Sequence, residues 1–201
     1  MRLLYLFDLL GTFAFAISGA IAGVRKNFDL YGIMVLSVVT AVGGGTIRDV
    51  LVGRIPPFIF KDINYFLISI LAALITFFFH KYVEKKYKVL LIMDAIGLGV
   101  FTVIGISVGL QYDIGYFGAV VMGVMTGTFG GMIRDVLQKE VPLVLQKEIY
   151  ASACIIGGIV FVFFDILKFN NVINVAVSGI VVFIIRFVAI QKNWHLPKAI
   201  K

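Results

Sequence analysis

Cysteine, histidine and charge are what this chain is short of. Its one cysteine, Cys154, sits inside an apolar run, so no intrachain disulfide can form and the thiol reads as a packing group. The two histidines, His80 and His195, stand far apart at the ends of apolar stretches. Without a Cys/His cluster at ligand spacing, no structural metal is expected. No glycine-rich loop runs into a Lys-Ser/Thr pair, and no local serine, histidine and acid set stands out. The chain therefore reads as no enzyme, with no catalytic residue and no cofactor. Only 14% of the residues are charged, too few to clothe a soluble domain.

What the chain has is apolar length. Of 201 residues, 61% are hydrophobic, and the mean hydropathy is +1.04. This places it among integral membrane proteins, as a single membrane domain over 1–201. The net charge of +7 fits basic membrane loops, so no nucleic-acid partner is expected. Seven apolar segments can be read, at about 3–24, 30–47, 63–79, 89–110, 114–133, 149–164 and 172–190. They are continuous rather than alternating, which favours helices over a barrel.

The chain repeats itself. Gly44-Gly45-Thr46-Ile47-Arg48-Asp49-Val50-Leu51 returns as Gly130-Gly131-Met132-Ile133-Arg134-Asp135-Val136-Leu137, seven of eight positions being identical at an offset of 86 residues. Asp8, Gly11, Phe15, Gly19 and Gly23 return at the same offset as Asp94, Gly97, Phe101, Gly105 and Gly109, as do Pro56, Lys61 and Ile63 as Pro142, Lys147 and Ile149. The first segment thus has a mid-chain counterpart, and reads as a helix of the mature protein rather than a cleaved leader. Repeat 1 covers about 3–80 and repeat 2 about 88–166, leaving a seventh helix at about 171–190. Three spans are an odd number, so the second unit enters from the opposite side. The expected fold is all-α: two inverted three-helix repeats plus a seventh transmembrane helix.

Loop charge gives an orientation. The N-terminal side carries Arg2, Arg54, Lys61 and Lys168, 4 in all, and the other side carries 11 Lys and Arg; Arg48, Arg134 and Arg186 are set aside as lying within spans. The positive-inside rule then puts the N-terminus outside and the C-terminus in the cytoplasm.

The glycines Gly43, Gly44, Gly45, Gly130 and Gly131 lie deep in the second and fifth segments. They either let neighbouring helices approach or break their own helix and free carbonyls for a cation; their matched positions in the two repeats favour the break. Each repeat also holds one arginine and two aspartates in the membrane margins: Arg48, Asp49 and Asp8 in the first, Arg134, Asp135 and Asp94 in the second. Each set has a formal sum of −1. Such groups must face protein or water. Arg48 is expected to pair with Asp8 or Asp49, and Arg134 with Asp94 or Asp135, clamping the bundle, setting the field along a permeation path, or both. Ser18, Thr40, Thr46, Thr102, Thr126 and Thr128 are candidates to line a polar path, or to bond back to their own helices.

Two three-helix repeats, a seventh helix and the doubled Gly-Gly-x-x-Arg-Asp motif resemble the trimeric intracellular cation (TRIC) channels, and more closely their prokaryotic homologues, some of which are named glycine transporters. The resemblance covers nearly the whole chain. It implies a homotrimer in the prokaryotic plasma membrane, surrounded by membrane lipid, with one pore in each protomer passing potassium and sodium ions transiently. It further implies a path bordered by helices 1, 2, 4 and 5 and kinked at Gly44, Gly45, Gly130 and Gly131, with the motif charges at its mouths. A monovalent cation channel is the leading expectation. A secondary transporter of glycine or another small zwitterion is the alternative, since inverted repeats with broken helices also mark transporters.

Overall fold

The computed structural model describes residues 2–83, 87–146, 149–192 and 194. The described residues form nine helices and no strand: α1 (Arg2–Arg25), α2 (Leu30–Leu51), α3 (Asn64–Phe78), α4 (His80–Val83), α5 (Tyr87–Gln111), α6 (Gly115–Leu137), α7 (Leu143–Gln146), α8 (Ala151–Ile166) and α9 (Asn171–Lys192), with a 3₁₀ turn at Phe58–Phe60. Five of them, α1, α2, α5, α6 and α9, are long and apolar enough to cross a membrane, while α3 and α8 are shorter apolar helices. Each of the seven apolar segments has become one of these helices.

Local chemistry sets the helix ends. Asp29 caps α2 by accepting from the Gly32 N–H at 2.7 Å, as a helix N-terminus prefers. Beyond the other end Gly53 takes φ +72°, and the Arg54 N–H reaches back to the Asp49 carbonyl at 2.8 Å. That left-handed stop satisfies carbonyls the helix leaves free. The α6 end repeats it with Lys139 at φ 59° and Glu140 donating to the Asp135 carbonyl at 2.9 Å.

The surface is oily, and the apolar interior also holds polar and charged side chains. Thr12, Ser37, Thr40, Thr102, Thr126 and the motif charges are buried, whereas Phe66, Leu71, Phe117, Ile159 and Ile180 are exposed. In a membrane that outward face meets lipid chains. α1 packs on α2, α3 and α5; α5 packs on α6, α8 and α9; α2 crosses α6. Phe15 and Phe101, equivalent positions of the two repeats, meet each other with ring centroids 5.2 Å apart.

The expected break in the second and fifth segments is not there. α2 stays helical through Gly43, Gly44 and Gly45, and α6 through Gly130 and Gly131. The reason is the crossing. A Cβ on Gly44 would strike the Thr126 carbonyl, and one on Gly130 would strike the Thr40 carbonyl. Thr40 and Thr126 are themselves 86 residues apart, so the contact is reciprocal, as a two-fold relation requires. Bare Cα ridges let the two backbones touch, which offsets the ~1 kcal/mol that each glycine costs a helix. The carbonyls stay in their helices, so no cation site is built from freed backbone here.

Gly44→Ala and Gly130→Ala should each lower stability by about 1–3 kcal/mol, the usual cost of overpacking. Gly43→Ala meets first the movable end of Ile133, at 3.0 Å, and should cost less than ~1 kcal/mol. Thermal unfolding of the detergent-solubilised protein checks this. Equal losses at all three positions would remove the crossing account.

Candidate functional site

Two buried charge clusters stand at the C-terminal ends of α2 and α6. In the first, Arg48 donates through Nε and Nη2 to Asp49 Oδ1, at 2.9 and 2.7 Å. Asp49 Oδ2 accepts from the Phe58 N–H at 2.9 Å, which ties the 3₁₀ turn to the helix end. The Arg48 guanidinium also lies 5.5 Å from the centroid of the Phe58 ring, a cation–π distance. Arg54 Nε approaches Asp49 Oδ2 at 3.8 Å from a partly exposed position. Asp8 is held by Tyr65, whose hydroxyl donates to Asp8 Oδ2 at 2.6 Å.

The second cluster uses the same parts. Arg134 Nε donates to Asp135 Oδ1 at 2.8 Å, and Asp135 Oδ2 accepts from the Leu143 N–H at 2.9 Å. Arg134 Nη1 donates to Asp94 Oδ1 at 2.6 Å and to Ser18 Oγ at 3.0 Å. Arg134 and Asp94 are 0% exposed. Gly131 leaves room for them: a Cβ there would meet the Tyr150 hydroxyl at 3.0 Å, Asp94 Oδ1 at 3.3 Å and Arg134 Nη2 at 3.5 Å. Among the described residues, Arg134 Nη2 and Asp94 Oδ2 have no hydrogen-bond partner.

The expected pairs therefore form: Arg48 with Asp49, and Arg134 with both Asp94 and Asp135. Asp8 goes to a tyrosine. The hydroxyls of Thr40, Thr102 and Thr126 donate to the carbonyls four residues back, at 2.6, 2.7 and 2.7 Å. Ser18 donates to the Phe15 carbonyl at 2.9 Å while accepting from Arg134. Thr128 is buried and Thr46 half-buried.

Sequence reasoning missed three participants. Tyr65 and Tyr150 are equivalent, but they lie 85 residues apart, one short of the repeat's spacing. Arg186, alone in the seventh apolar run, was set aside. It is 3% exposed and stacks on Tyr150, its guanidinium carbon 4.7 Å from the ring centroid. Counting it, the second cluster sums to zero rather than −1.

The two clusters differ in their surroundings. Near the first, Tyr5 donates to Asp62 Oδ2 at 2.5 Å and accepts from Asn64 Nδ2 at 2.9 Å; the tyrosine hydroxyl holds the half-buried Asp62 carboxyl below the usual carboxylate range. Beside the second lies a cavity of about 270 Å³, lined by Arg25, Lys26, Tyr87, Asp135, Gln138 and Glu140 among others. Lys26 and Glu140 form an ion pair across that wall. Among the described residues, no group of three or more His, Cys, Asp or Glu is placed to hold a metal ion.

A protein-family model described as Glycine transporter matches residues 5–81 and 91–165. The chain belongs to that family. The starts of the two matched stretches are 86 residues apart, the spacing of the motif. Curated relatives include the UPF0126 inner membrane protein YadS of Escherichia coli, 41% identical over 96% of this chain and 94% of that one. A UPF0126 membrane protein of Vibrio cholerae is 49% identical over 78% of this chain and 66% of its own length. Among solved structures, the TRIC channel orthologue from Rhodobacter sphaeroides superposes with a TM-score of 0.92 at 36% identity, covering 96% of this chain and all of that one. A TRIC cation channel studied for its conductance superposes with a TM-score of 0.88 at 38% identity, over 98% and 97% of the two chains. The resemblance to TRIC channels read from the doubled motif thus extends to the whole fold, and the chain is a membrane protein.

Burial ranks the pairs. Asp94→Asn leaves the Arg134 charge half-compensated away from water, so about 3–5 kcal/mol of stability should be lost. Lys26→Ala breaks a pair whose side chains are 37% and 51% exposed, and should cost at most ~1 kcal/mol. Unfolding midpoints of the two variants in one detergent compare them; a Lys26→Ala loss as large as that of Asp94→Asn would contradict this ranking.

Proposed function

We propose that the chain forms a channel for monovalent cations, potassium and sodium, with a pore inside each protomer of a homotrimer. The observation that carries this reading is the near-full-length likeness to channels described as TRIC cation channels and as trimeric, at 34–38% identity and TM-scores of 0.88–0.92. The path runs through the four-helix centre made by α1, α2, α5 and α6, with Asp8, Arg48 and Asp49 at one mouth and Asp94, Arg134 and Asp135 at the other. Gly43–Gly45 and Gly130–Gly131 mark its waist, where Ser18, Thr40, Thr46, Thr126 and Thr128 supply polar surface. Rings of fixed charge at a pore mouth select by sign, and the buried excess of carboxylate at the first cluster favours cations.

The same reading takes α3 and α8 as spans, giving seven, with repeat 1 at about 3–80, repeat 2 at about 88–166 and the last helix at about 171–190. At 1.5 Å per residue, α3 and α8 reach only about 22–24 Å, short of a ~30 Å hydrocarbon core. After Phe79, α4 carries α3 on toward Val83. Two contacts support alternating faces. Lys26 meets Glu140, joining the first and fifth inter-span loops, and Tyr5 meets Asp62, joining the N-terminal end to the second. Odd-numbered units with reciprocal contacts are what inverted repeats produce. The loop charges put the N-terminus outside and the C-terminus in the cytoplasm.

A second reading, transport of glycine or another small zwitterion, is favoured by the description of the family model. Reconstitution separates the two. The channel predicts unitary currents in a planar bilayer that reverse near the potassium equilibrium potential in a potassium gradient. Saturable glycine uptake by proteoliposomes without unitary currents would establish the transporter instead. Crosslinking that stops at dimers would refute the homotrimer.

A further inference from the structure

Arg186 is a buried charge that the duplicated pattern does not supply. It lies on α9, which follows both repeats. Its Nη1 donates to the Ile149 carbonyl at 3.3 Å, its guanidinium stacks on Tyr150, and its Nε has no hydrogen-bond partner among the described residues. The hydroxyl at the other end of the Tyr150 ring reaches the point beside Gly131 that Asp94 Oδ1 and Arg134 Nη2 also flank. One aromatic ring therefore separates Arg186 from the Asp94–Arg134 pair. In so dry a setting a charge acts with little screening.

Among the described residues, the first cluster has no buried equivalent. Its additional cation, Arg54, is 39% exposed and 3.8 Å from Asp49 Oδ2, where water and salt weaken its field. The groups held out of water then sum differently. At the α2 end, Arg48 faces Asp49 and the half-buried Asp8, leaving −1. At the α6 end, Arg134 and Arg186 face Asp94 and Asp135, leaving zero.

We infer that Arg186 sets the electrical asymmetry of the conduction path: it cancels the cation-attracting excess at the α6 end, so that current rectifies and charge selection rests on the Asp8–Asp49 end. This rests on the cation-channel reading above. A net carboxylate charge at a mouth raises the local cation concentration and speeds entry from that side. Cations accordingly enter more readily past Asp8 than past Asp94. Arg186 touches no permeating ion. It acts through the field across Tyr150.

The test is single-channel recording from the full-length protein in planar bilayers, in symmetrical potassium chloride and then in a gradient. The wild type should rectify. Arg186→Gln gives the α6 end the same −1 as the other, so rectification should be lost and the reversal potential should shift toward the potassium equilibrium value. Arg186→Lys keeps the charge without the planar stack and should behave as the wild type. Asp8→Asn equalises the ends from the other side: rectification should again be lost, with the reversal potential moving away from the potassium value. This variant carries the test if Arg186→Gln does not fold. Linear wild-type currents, undiminished rectification in Arg186→Gln or Asp8→Asn, or an Arg186→Lys that behaves like Arg186→Gln would overturn the inference. Absence of any unitary current from the wild type would instead remove the channel reading on which it rests.

Discussion

A charge buried in a membrane protein must be matched inside the protein, and Arg134 is where this rule presses hardest. Taking a guanidinium out of water costs several kcal/mol even after relaxation. Its neighbours come from different parts of the chain: Ser18 from α1, Asp94 from α5 and Asp135 from its own helix. Asp135 in turn holds the Leu143 N–H that begins α7. Shifting any one of these elements would leave a charge uncompensated, so the pairing fixes the register of α1 against α5 and α6 and the path of the following loop. Arg48 imposes the same discipline at the end of α2, with Asp49 fastening the turn at Phe58.

These clusters are positioned by a contact that is not electrostatic at all. The crossing of α2 and α6 brings Gly44 under the Thr126 carbonyl and Gly130 under the Thr40 carbonyl. Lipid chains are as apolar as leucine, so close backbone packing has to hold such helices together. Both motif arginines lie one turn beyond a crossing glycine. The geometry of the crossing therefore decides where the guanidinium groups emerge. Threonine hydroxyls bonded to their own helices let the backbones meet without orphaned donors.

Much of this was written in the sequence in a form that spacing alone can read. The helices followed from runs of apolar residues, the duplication from an ungapped offset, and the arginine–aspartate pairs from the cost of unpaired charge in lipid. The glycines were legible as special but not in which sense. Glycine weakens a helix and invites a neighbour, and only the position of the facing Thr126 and Thr40 carbonyls decides between the two. Tyr65 and Tyr150 escaped because the spacing slips by one residue just after the last match, Ile63 with Ile149, and an ungapped comparison loses them there. Arg186 escaped because its partner, Tyr150, is distant in sequence and belongs to another helix.

Two nearly identical motifs end in different arrangements. Asp8 is held by Tyr65, whereas Asp94, its equivalent, is held by Arg134. Nothing in the eight-residue motif distinguishes the two ends. What distinguishes them is α9, which packs mainly on α5 and α8 and therefore on the second repeat. It does so closely: a Cβ on Gly99 would meet the Gly179 carbonyl at 2.6 Å, and Val182 crowds Gly157 from α8. This contact seats Arg186 against Tyr150. A duplicated unit alone would give a molecule with equivalent ends; one added helix, bearing one buried cation, makes them unequal.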